Sequence, residues 1–419
     1  NSIPRIEALD KQPELQAELY YVTGNIYFNM GFWHRANEFY YKALEINQSL
    51  PDKKKYKLER ARLYSKIASS HFTLAEYQPA DSIIELSLSK YEKYFHTEYI
   101  KEMGEAMSWK AVILYRMGRF DESLEYSLSA LEFFKENADE NFFLQKTIKN
   151  NPKITIKNII TNTLRSMSRY EEAMEYSLRA KEMVDMLVPD INAQKATVYS
   201  DHATLLVAMG RFEDALDVNN EIYQLRLKTL GGQHPNTLTN LANKAAIYYH
   251  MRDYSRSDSL NLMVLDIYME KFGPYHHSTL ITINNLSNSL AQQRKFDEAI
   301  KYMKMNLEAQ IKTYGDSHHY VASTLHSIGV VYFVIGEHSK SKDMLYRSVE
   351  LFQMNFGELS YEVSMAYRHI AEVYCRMREY GSCKTYLDSA LKIAEEVLGD
   401  EHSFTANIKN TLAQYQSRF

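Results

Sequence analysis

The sequence contains few of the residues that build tight turns, disulfides or zinc sites. Among its 419 residues there are only 14 glycines, 8 prolines and 2 cysteines. So little glycine and proline disfavours a fold of short strands and favours long helices. The two cysteines, Cys375 and Cys383, are eight residues apart, a pattern that predicts neither a disulfide framework nor a zinc-binding motif.

An excess of charge of one sign is also absent. The 49 basic and 53 acidic residues give a formal net charge of −4 and are spread along the chain. No large positive field is available to hold a phosphate backbone, so we expect no nucleic acid partner. No apolar run approaches the roughly 18 residues that a membrane-spanning helix needs, so we expect no membrane-spanning segment.

The sequence does not decide the compartment. No secretory leader precedes the first predicted helix, but the chain begins at Asn1 rather than Met, so the earlier removal of a leader or a lipid anchor stays an open alternative. The cytoplasm is slightly favoured. The oligomeric state is equally undecided.

Catalytic signatures are missing as well. The sequence has no P-loop, no G-x-G-x-x-G, no H-E-x-x-H and no G-x-S-x-G motif. Each of these patterns sets phosphate-binding, metal-binding or nucleophilic groups at a defined spacing, so their absence argues against catalysis. We expect a protein that is not an enzyme and that carries no cofactor.

One pattern does recur along the chain, a ring-bearing residue followed three positions later by a small residue. The intervals between successive copies are 44, 43, 50, 42, 42, 42, 42 and 42 residues. An interval repeated five times indicates like units stacked along an axis. The nine copies are Trp33/Ala36, Tyr77/Ala80, Phe120/Ser123, Tyr170/Ala173, Phe212/Ala215, Tyr254/Ser257, Phe296/Ala299, His338/Ser341 and Tyr380/Cys383.

Each unit is predicted to hold two helices. A further small residue lies twelve positions before the small residue of this pattern. Apolar residues recur along each unit with the 3.6-residue period of a helix. We call the helix with the earlier small residue helix A and the other helix B. Gly31, Gly118, Gly210 and Gly336 lie in the turns, where a residue of positive φ ends a helix. The small residues of helix A are Gly24, Ala68, Ala111, Thr161, Ala203, Ala245, Ser287, Gly329 and Ala371.

This pattern resembles the tetratricopeptide repeat (TPR), and its 42-residue form is similar to that of kinesin light chains and their bacterial relatives. The resemblance spans Leu15 to Phe404 and is sharpest at the junctions between repeats. It implies an all-α superhelix of about nine antiparallel helix pairs with a C-terminal capping helix. The junctions are LGGQHPNT (230–237), FGPYHHST (272–279), YGDSHHYV (314–321), FGELSYEV (356–363) and LGDEHSFT (398–405).

The predicted organisation has four parts. They are a leading segment (1–14), irregular repeats one to three with an insertion through Phe142 to Pro152 (15–150), repeats four to nine (151–400), and a capping helix or truncated tenth repeat (401–419). The 42-residue form begins near residue 190, and repeats one to four lack the Gly-x-x-His junction. The segment ITIKNIITNTL in repeat four is rich in β-branched residues that favour a strand, but its register predicts a helix.

The junction histidines include two adjacent pairs, His276–His277 and His318–His319, which could suggest metal binding. However, the histidines recur once per repeat, so successive copies are on the order of 20 Å apart, too far to share a metal ion. We therefore predict a structural role at the helix ends and no metal site. The residues at the shared repeat position are His234, His276, His318 and His402.

The cysteines are interpreted in the same way. Cys383 holds the small position of the last helix B, which predicts an inert buried thiol. Cys375 could face the groove, where the nearby Arg368, Arg376 and Arg378 would be the activating charge that a reactive thiol requires. A functional thiol is the alternative.

Helix A faces line the concave side of such a solenoid. By analogy with peptide-binding TPR proteins, these faces carry the ligand-binding positions, and here polar and aromatic residues stand where a buried helix would favour Leu or Ala. A merely solvated face is the alternative. The predicted peptide-binding residues are Asn25, Asn29, Tyr115, Arg116, Asn158, Asn162, Arg165, Tyr249, His250, Asn284, Asn288, Arg368 and Arg376.

Two asparagine pairs, Asn158/Asn162 and Asn284/Asn288, are one helical turn apart. An amide side chain both donates and accepts hydrogen bonds, so each pair could bracket the N–H and C=O groups of an extended peptide. In kinesin light chains, groove asparagines of this kind clamp cargo peptides, as the resemblance implies. Arg368 and Arg376 would favour acidic ligand groups, partly offset by Glu372.

The sequence therefore favours a scaffold or adaptor that binds a peptide or protein segment in its concave groove. The first alternative is the sensory N-terminal part of a larger bacterial enzyme, because bacterial repeats of this type often precede a CHAT-type protease domain. No catalytic His/Cys pair of that domain is recognisable in the sequence. Self-assembly through an uncapped end of the solenoid is a further alternative.

Overall fold

The computed structural model describes residues 3–30, 32–95, 98–137, 151–187 and 193–415. Within these ranges the chain forms twenty α-helices and no β-strand. The helices are α1 (Ile3–Glu7), α2 (Pro13–Asn29), α3 (Trp33–Ser49), α4 (Lys54–Thr73), α5 (Tyr77–Phe95), α6 (Ile100–Arg116), α7 (Phe120–Asn137), α8 (Pro152–Ser166), α9 (Tyr170–Leu187), α10 (Ala193–Ala208), α11 (Phe212–Leu230), α12 (Pro235–His250), α13 (Tyr254–Phe272), α14 (His277–Gln292), α15 (Phe296–Tyr314), α16 (His319–Val334), α17 (His338–Phe356), α18 (Tyr361–Arg376), α19 (Tyr380–Leu398) and α20 (Ser403–Tyr415).

Helices α2 to α19 form nine antiparallel A/B pairs, and α20 follows them as a single helix. The predicted all-α architecture is confirmed, and so is the helix over ITIKNIITNTL, which lies in α8. Residues 142–150 of the predicted insertion lie outside the described ranges. None of the described helices combines the length and the apolar character needed to span a membrane.

The chain divides into two compact units, Asn1–Ile160 and Thr161–Phe419, whose boundary lies within α8. In the first unit, successive helices pack on one another from α1 to α7. In the second unit, successive helices pack from α9 to α20. Each unit is therefore built from contacts between neighbours in sequence, as expected for a repeat protein.

The small residues mark the points where helix A and helix B of a pair touch. All of them are buried. A Cβ atom added to Gly329 would lie 2.8 Å from the side chain of Leu345, a distance that real Cβ atoms do not reach. The hydroxyl of Ser341 donates a hydrogen bond of 2.8 Å to the carbonyl oxygen of Gly329. Small side chains are thus required because the two backbones are nearly in contact.

The turn between helices A and B keeps one backbone form whether or not glycine is present. Gly336 has φ of 88°, and the N–H groups of Gly336 and Glu337 bond back to the carbonyls of Phe333 and Tyr332. Arg294 takes the same form with φ of 62° and the equivalent pair of hydrogen bonds. Glycine was predicted at four of these turns, and Gly31 lies outside the described residues. The other non-glycine residues with positive φ are Ala75, Ser168, Arg252 and Arg378.

We expect Arg294→Gly to stabilise the chain by about 0.5–1 kcal/mol, because it removes the steric cost of a Cβ atom at positive φ. The opposite change, Gly336→Ala, should destabilise it by about 1 kcal/mol. A Cβ atom on Gly336 would meet no atom within 4 Å, so that change isolates the backbone effect. Thermal unfolding measures both variants, with Arg294→Ala as the control for losing the side chain alone. Equal melting temperatures for Arg294→Gly and Arg294→Ala would contradict the prediction.

Candidate functional site

The junction histidines cap the helices that follow them. His234, His276 and His318 are the N-cap residues of α12, α14 and α16, and each Nδ1 atom accepts a hydrogen bond from the backbone N–H two residues later. Ser360 caps α18 in the junction that lacks histidine. These bonds satisfy N–H groups that the first turn of a helix leaves without a partner. The predicted structural role at the helix ends is therefore confirmed.

His402 caps the last helix and also reaches a distant one. Its Nδ1 accepts a hydrogen bond of 3.1 Å from the N–H of Phe404, so its proton is on Nε2. The Nε2–H then donates to the carbonyl oxygen of Ser166 at 3.2 Å. This bond joins the end of α8 to the start of α20 within the second unit. Across the described ranges, no group of three or more His, Cys, Asp or Glu side chains is placed to hold a metal ion.

Of the four predicted ligand-binding residues on α2 and α6, two contact other side chains of the chain and two are exposed. Asn25 is half-buried and its Oδ1 accepts a hydrogen bond of 3.0 Å from the hydroxyl of Tyr40. Asn29 and Arg116 are exposed. Tyr115 is half-buried and packs against Phe120 with ring centroids 5.7 Å apart. Asn25 and Tyr115 therefore have partners inside the chain, whereas Asn29 and Arg116 face solvent.

The boundary between the two units separates the two asparagines of α8, Asn158 and Asn162. Asn158 is buried and belongs to the first unit, while Asn162 is half-buried and belongs to the second. The amide of Asn162 donates to Oδ2 of Asp201 on α10 at 2.9 Å. Arg165 lies half-buried near the end of the same helix. That these residues bind a peptide stays a prediction.

On α12, Tyr249 is half-buried and packs edge-on against Tyr254, with ring centroids 5.8 Å apart. Burial raises the pKa of its hydroxyl, and a hydrogen bond with Gln292 opposes that rise. His250, the next residue, is exposed. Tyr249 and Gln292 thus link the ends of two successive A helices.

Asn284 and Asn288 are both half-buried on α14. Their side-chain amides make no hydrogen bond to any residue that the structure describes. Asn284 also lines a cavity of about 70 Å³, together with Ile281, Tyr314 and Tyr320. This pair therefore combines unused donors and acceptors with an adjacent apolar and aromatic surface.

A polar network runs between α16 and α18. Arg368 donates to Glu372 through one Nη atom and to Nε2 of His369 through the other, at 2.8 Å for the latter. Since Nε2 of His369 accepts, its proton is on Nδ1, which donates to Nε2 of His326 at 2.9 Å. Burial raises the pKa of Glu372 against the opposing charge of Arg368. The guanidinium of Arg368 therefore bonds to side chains of its own helix, whereas the sequence suggested that it would bind acidic groups of a ligand.

Cys375 and Cys383 form a disulfide bond that links α18 to α19. The prediction of a free thiol at Cys383 was therefore wrong, although its predicted burial is confirmed. The turn between helices A and B brings the two Cα atoms to 5.2 Å, inside the range of about 4.4–6.8 Å that a disulfide needs. A spacing of eight residues matches no disulfide motif in the sequence, so the bond follows only from the geometry of the turn.

A second cavity, of about 290 Å³, lies beside this disulfide. Its lining includes Cys375 of α18, Leu387 of α19, and Thr411 and Tyr415 of α20. Arg376, which is exposed as a groove residue would be, lies at the same cavity. Sequence reasoning missed the residues of α20, although extending the repeat register past residue 401 would have found them.

These features define the class of protein, an α-helical solenoid of A/B pairs with recurrent spacing, capped junctions and polar A helices. Residues 194–270, 240–305, 278–354 and 362–419 match the family described as tetratricopeptide repeat, and the matches together cover just over half of the chain. The chain belongs to the tetratricopeptide repeat family.

Solved structures with similar folds include TPR proteins of several kinds. A Rap protein complexed with competence and sporulation factor has 11% identity and a TM-score of 0.58, over 91% of this chain and 98% of that one. BtubC (BKLC) from P. vanneervenii has 20% identity and a TM-score of 0.43, over 56% and 92%. A putative kinesin light chain from Podosopora anserina has 17% identity and a TM-score of 0.41, over 47% and 93%. Comparison with curated protein sequences finds no significant match.

We expect acidification to destabilise the chain through His326. Burial, followed by the charge of Arg368, lowers the pKa of His326 from 6.5 to about 4. The unfolded chain therefore takes up a proton before the folded chain does, which lowers the free energy of unfolding by about 2 kcal/mol between pH 7.5 and pH 5. The loss continues until the pH falls through about 4, where the folded chain is protonated as well.

The check compares thermal unfolding of the wild-type chain and His326→Gln at pH 7.5 and pH 5. The variant lacks this titrating group, so its melting temperature should fall less than that of the wild type. Histidines other than His369, which is hydrogen-bonded to His326, titrate equally in both proteins and cancel in the comparison. Parallel decreases in the two proteins would show that His326 does not contribute.

Proposed function

We propose that the chain is a scaffold or adaptor that binds a peptide, or an extended segment of a partner protein, along its A helices. Tetratricopeptide solenoids commonly serve as protein-interaction scaffolds. The similarity in fold to a Rap protein complexed with competence and sporulation factor supports this reading by analogy. The role of sensory part of a larger enzyme stays an alternative prediction.

The observation that carries the proposal is the state of Asn284 and Asn288. An extended peptide presents N–H and C=O groups on both edges, and two amide side chains one helical turn apart offer donors and acceptors to them. Both amides are half-buried and make no hydrogen bond to a described residue. The adjacent cavity at Ile281 and Tyr320 would take a side chain of the same peptide.

The neighbouring A helices of the second unit are consistent with a polar binding face. Asn243 of α12 donates to the hydroxyl of Ser200 on α10 at 3.4 Å, and His326 of α16 bonds to His369 of α18. These contacts show that A helices meet one another through polar side chains. A segment lying across them would find hydrogen-bonding groups on successive repeats.

We expect Asn284→Ala combined with Asn288→Ala to weaken peptide binding at least tenfold. The loss of two hydrogen-bonding amides removes about 1–3 kcal/mol, and 1.4 kcal/mol corresponds to a factor of ten. The probes are peptides selected on the wild-type chain from a random phage-displayed library, and their Kd is measured by fluorescence polarisation.

The matched control is Lys301→Ala combined with Lys304→Ala, which removes two exposed side chains from helix B of the same repeat. This variant should keep Kd within about twofold, since the lost surface charges contribute little. Circular dichroism must show unchanged helicity in both. Unchanged binding by the asparagine variant would reject this face as the binding surface, and so would a selection that enriches no peptide.

A further inference from the structure

The cavity of about 290 Å³ at the C-terminal end of the second unit lies where other repeats place aromatic rings. The relevant position is four residues after the small residue of helix A. In four repeats its ring packs on the first residue of the following helix B, with centroids 5.6–6.1 Å apart. The rings belong to Phe72, Tyr115, Tyr249 and Phe333. In the last repeat the same position holds Cys375.

The ring that one earlier repeat places beside Phe72 has no counterpart there either. Phe72 packs on Trp109 of the next helix A, with ring centroids 5.3 Å apart. Trp109 lies two residues before the small residue of its helix. The same register in α20 places Thr411 at the equivalent of Trp109, since Ala413 is 42 residues after Ala371. Cys375 thus stands where four other repeats carry a ring, and Thr411 stands where α6 carries Trp109.

The disulfide keeps this space open. It holds the sulfur of Cys375 against Cys383, which is completely buried, so the side chain of Cys375 is fixed at the edge of the cavity. Leu387, also completely buried, supplies an apolar wall. Tyr415 packs against Tyr380 at 6.3 Å instead of filling the space. The cavity therefore has an apolar wall at Leu387 and the disulfide, and its lining also includes the polar side chains of Glu372, Thr411 and Gln414.

The rim of the cavity has the chemistry of a ring-binding site. The guanidinium of Arg376 lies 5.7 Å from the ring centroid of Phe333, and both residues line the cavity. Within the described residues Arg376 makes no ion pair, so its guanidinium face has a ring on one side only. Arginine attracts aromatic faces by the cation–π interaction, and disulfide and thioether sulfurs pack favourably against ring edges.

We propose that this cavity binds an aromatic side chain of the partner segment, which takes the place of the ring that the last repeat lacks at the position of Cys375. The inference rests on the proposed function, because it assigns a side-chain specificity to one end of the same binding face. A volume of about 290 Å³ is close to the lower limit of about 300 Å³ for small-ligand pockets, which suits one amino-acid side chain.

The test uses N-acetylated amides of single amino acids as probes, so that it does not depend on the asparagine pair. Methyl NMR of the full chain follows the methyl groups of Leu387 and Thr411 during titration with the tryptophan, phenylalanine, leucine and alanine derivatives. We expect saturable shifts of both methyl groups with the two aromatic amides, and at least tenfold weaker binding of the alanine amide, since alanine lacks the apolar ring whose burial favours binding. Equal binding of the leucine amide would overturn the aromatic assignment.

Thr411→Trp restores the ring that α6 carries at Trp109 and should fill the cavity. It is expected to abolish binding of the aromatic amides, read from the methyl groups of Leu387. The control is Ala406→Trp, which adds the same ring at an exposed position of α20 and should leave binding unchanged. If Thr411→Trp lowers the melting temperature, Thr411→Leu supplies a smaller filling group for the same comparison. Undiminished binding in a folded cavity-filled variant would overturn the proposal.

The outcomes separate this inference from the proposed function. Asn284→Ala with Asn288→Ala should leave the binding of the aromatic amides unchanged, because those residues do not line this cavity. Loss of peptide binding in the asparagine variant together with no shift from any amide would support the binding face and overturn the aromatic site. Saturable binding of the aromatic amides, together with unaffected peptide binding by the asparagine variant, would support the aromatic site and reject the asparagine pair as the binding surface.

Discussion

The whole architecture depends on the close approach of two helix backbones in each repeat. Where helix A and helix B cross, only small side chains fit, and at Gly329 even a Cβ atom would lie 2.8 Å from the side chain of Leu345. When the second small residue is serine, its hydroxyl replaces part of the lost apolar contact with a hydrogen bond across the crossing, as in Ser341 and Ser123. Small residues therefore recur at the repeat interval because helix A and helix B approach closely once in each repeat.

This contact determines where polarity is allowed. Apolar side chains around the crossings are buried between the packed helices. The first N–H groups of a helix need hydrogen-bond acceptors, which the junction histidines supply. The face of helix A away from helix B is under neither demand. Polar side chains such as Asn284, Asn288 and Arg376 can occupy it without cost to the fold, which is why we propose that ligands bind there.

The sequence predicted the helix pairs well because their cause is periodic. Register even overrode the strand preference of the segment in α8, since its small residue Thr161 had to meet a partner helix.

What the sequence did not predict depends on geometry within one repeat. The disulfide required knowing how near the turn brings Cys375 to Cys383. The positive φ of Arg294 followed from the hydrogen bonds of the turn and left no trace in residue type. Which asparagines keep free amides depended on neighbours such as Asp201 and Tyr40.

The hydrogen bond from His402 to the carbonyl of Ser166 has a mechanical consequence for the second unit. These residues are 236 positions apart in the chain, yet one bond fixes their separation. In a stack of repeats, small changes in the tilt of successive pairs accumulate along the axis. Any alteration of tilt between α8 and α20 must therefore be balanced by an opposite alteration elsewhere, or else this single bond breaks. The loop closed by that bond makes distant pairs sensitive to one another without any direct contact between them.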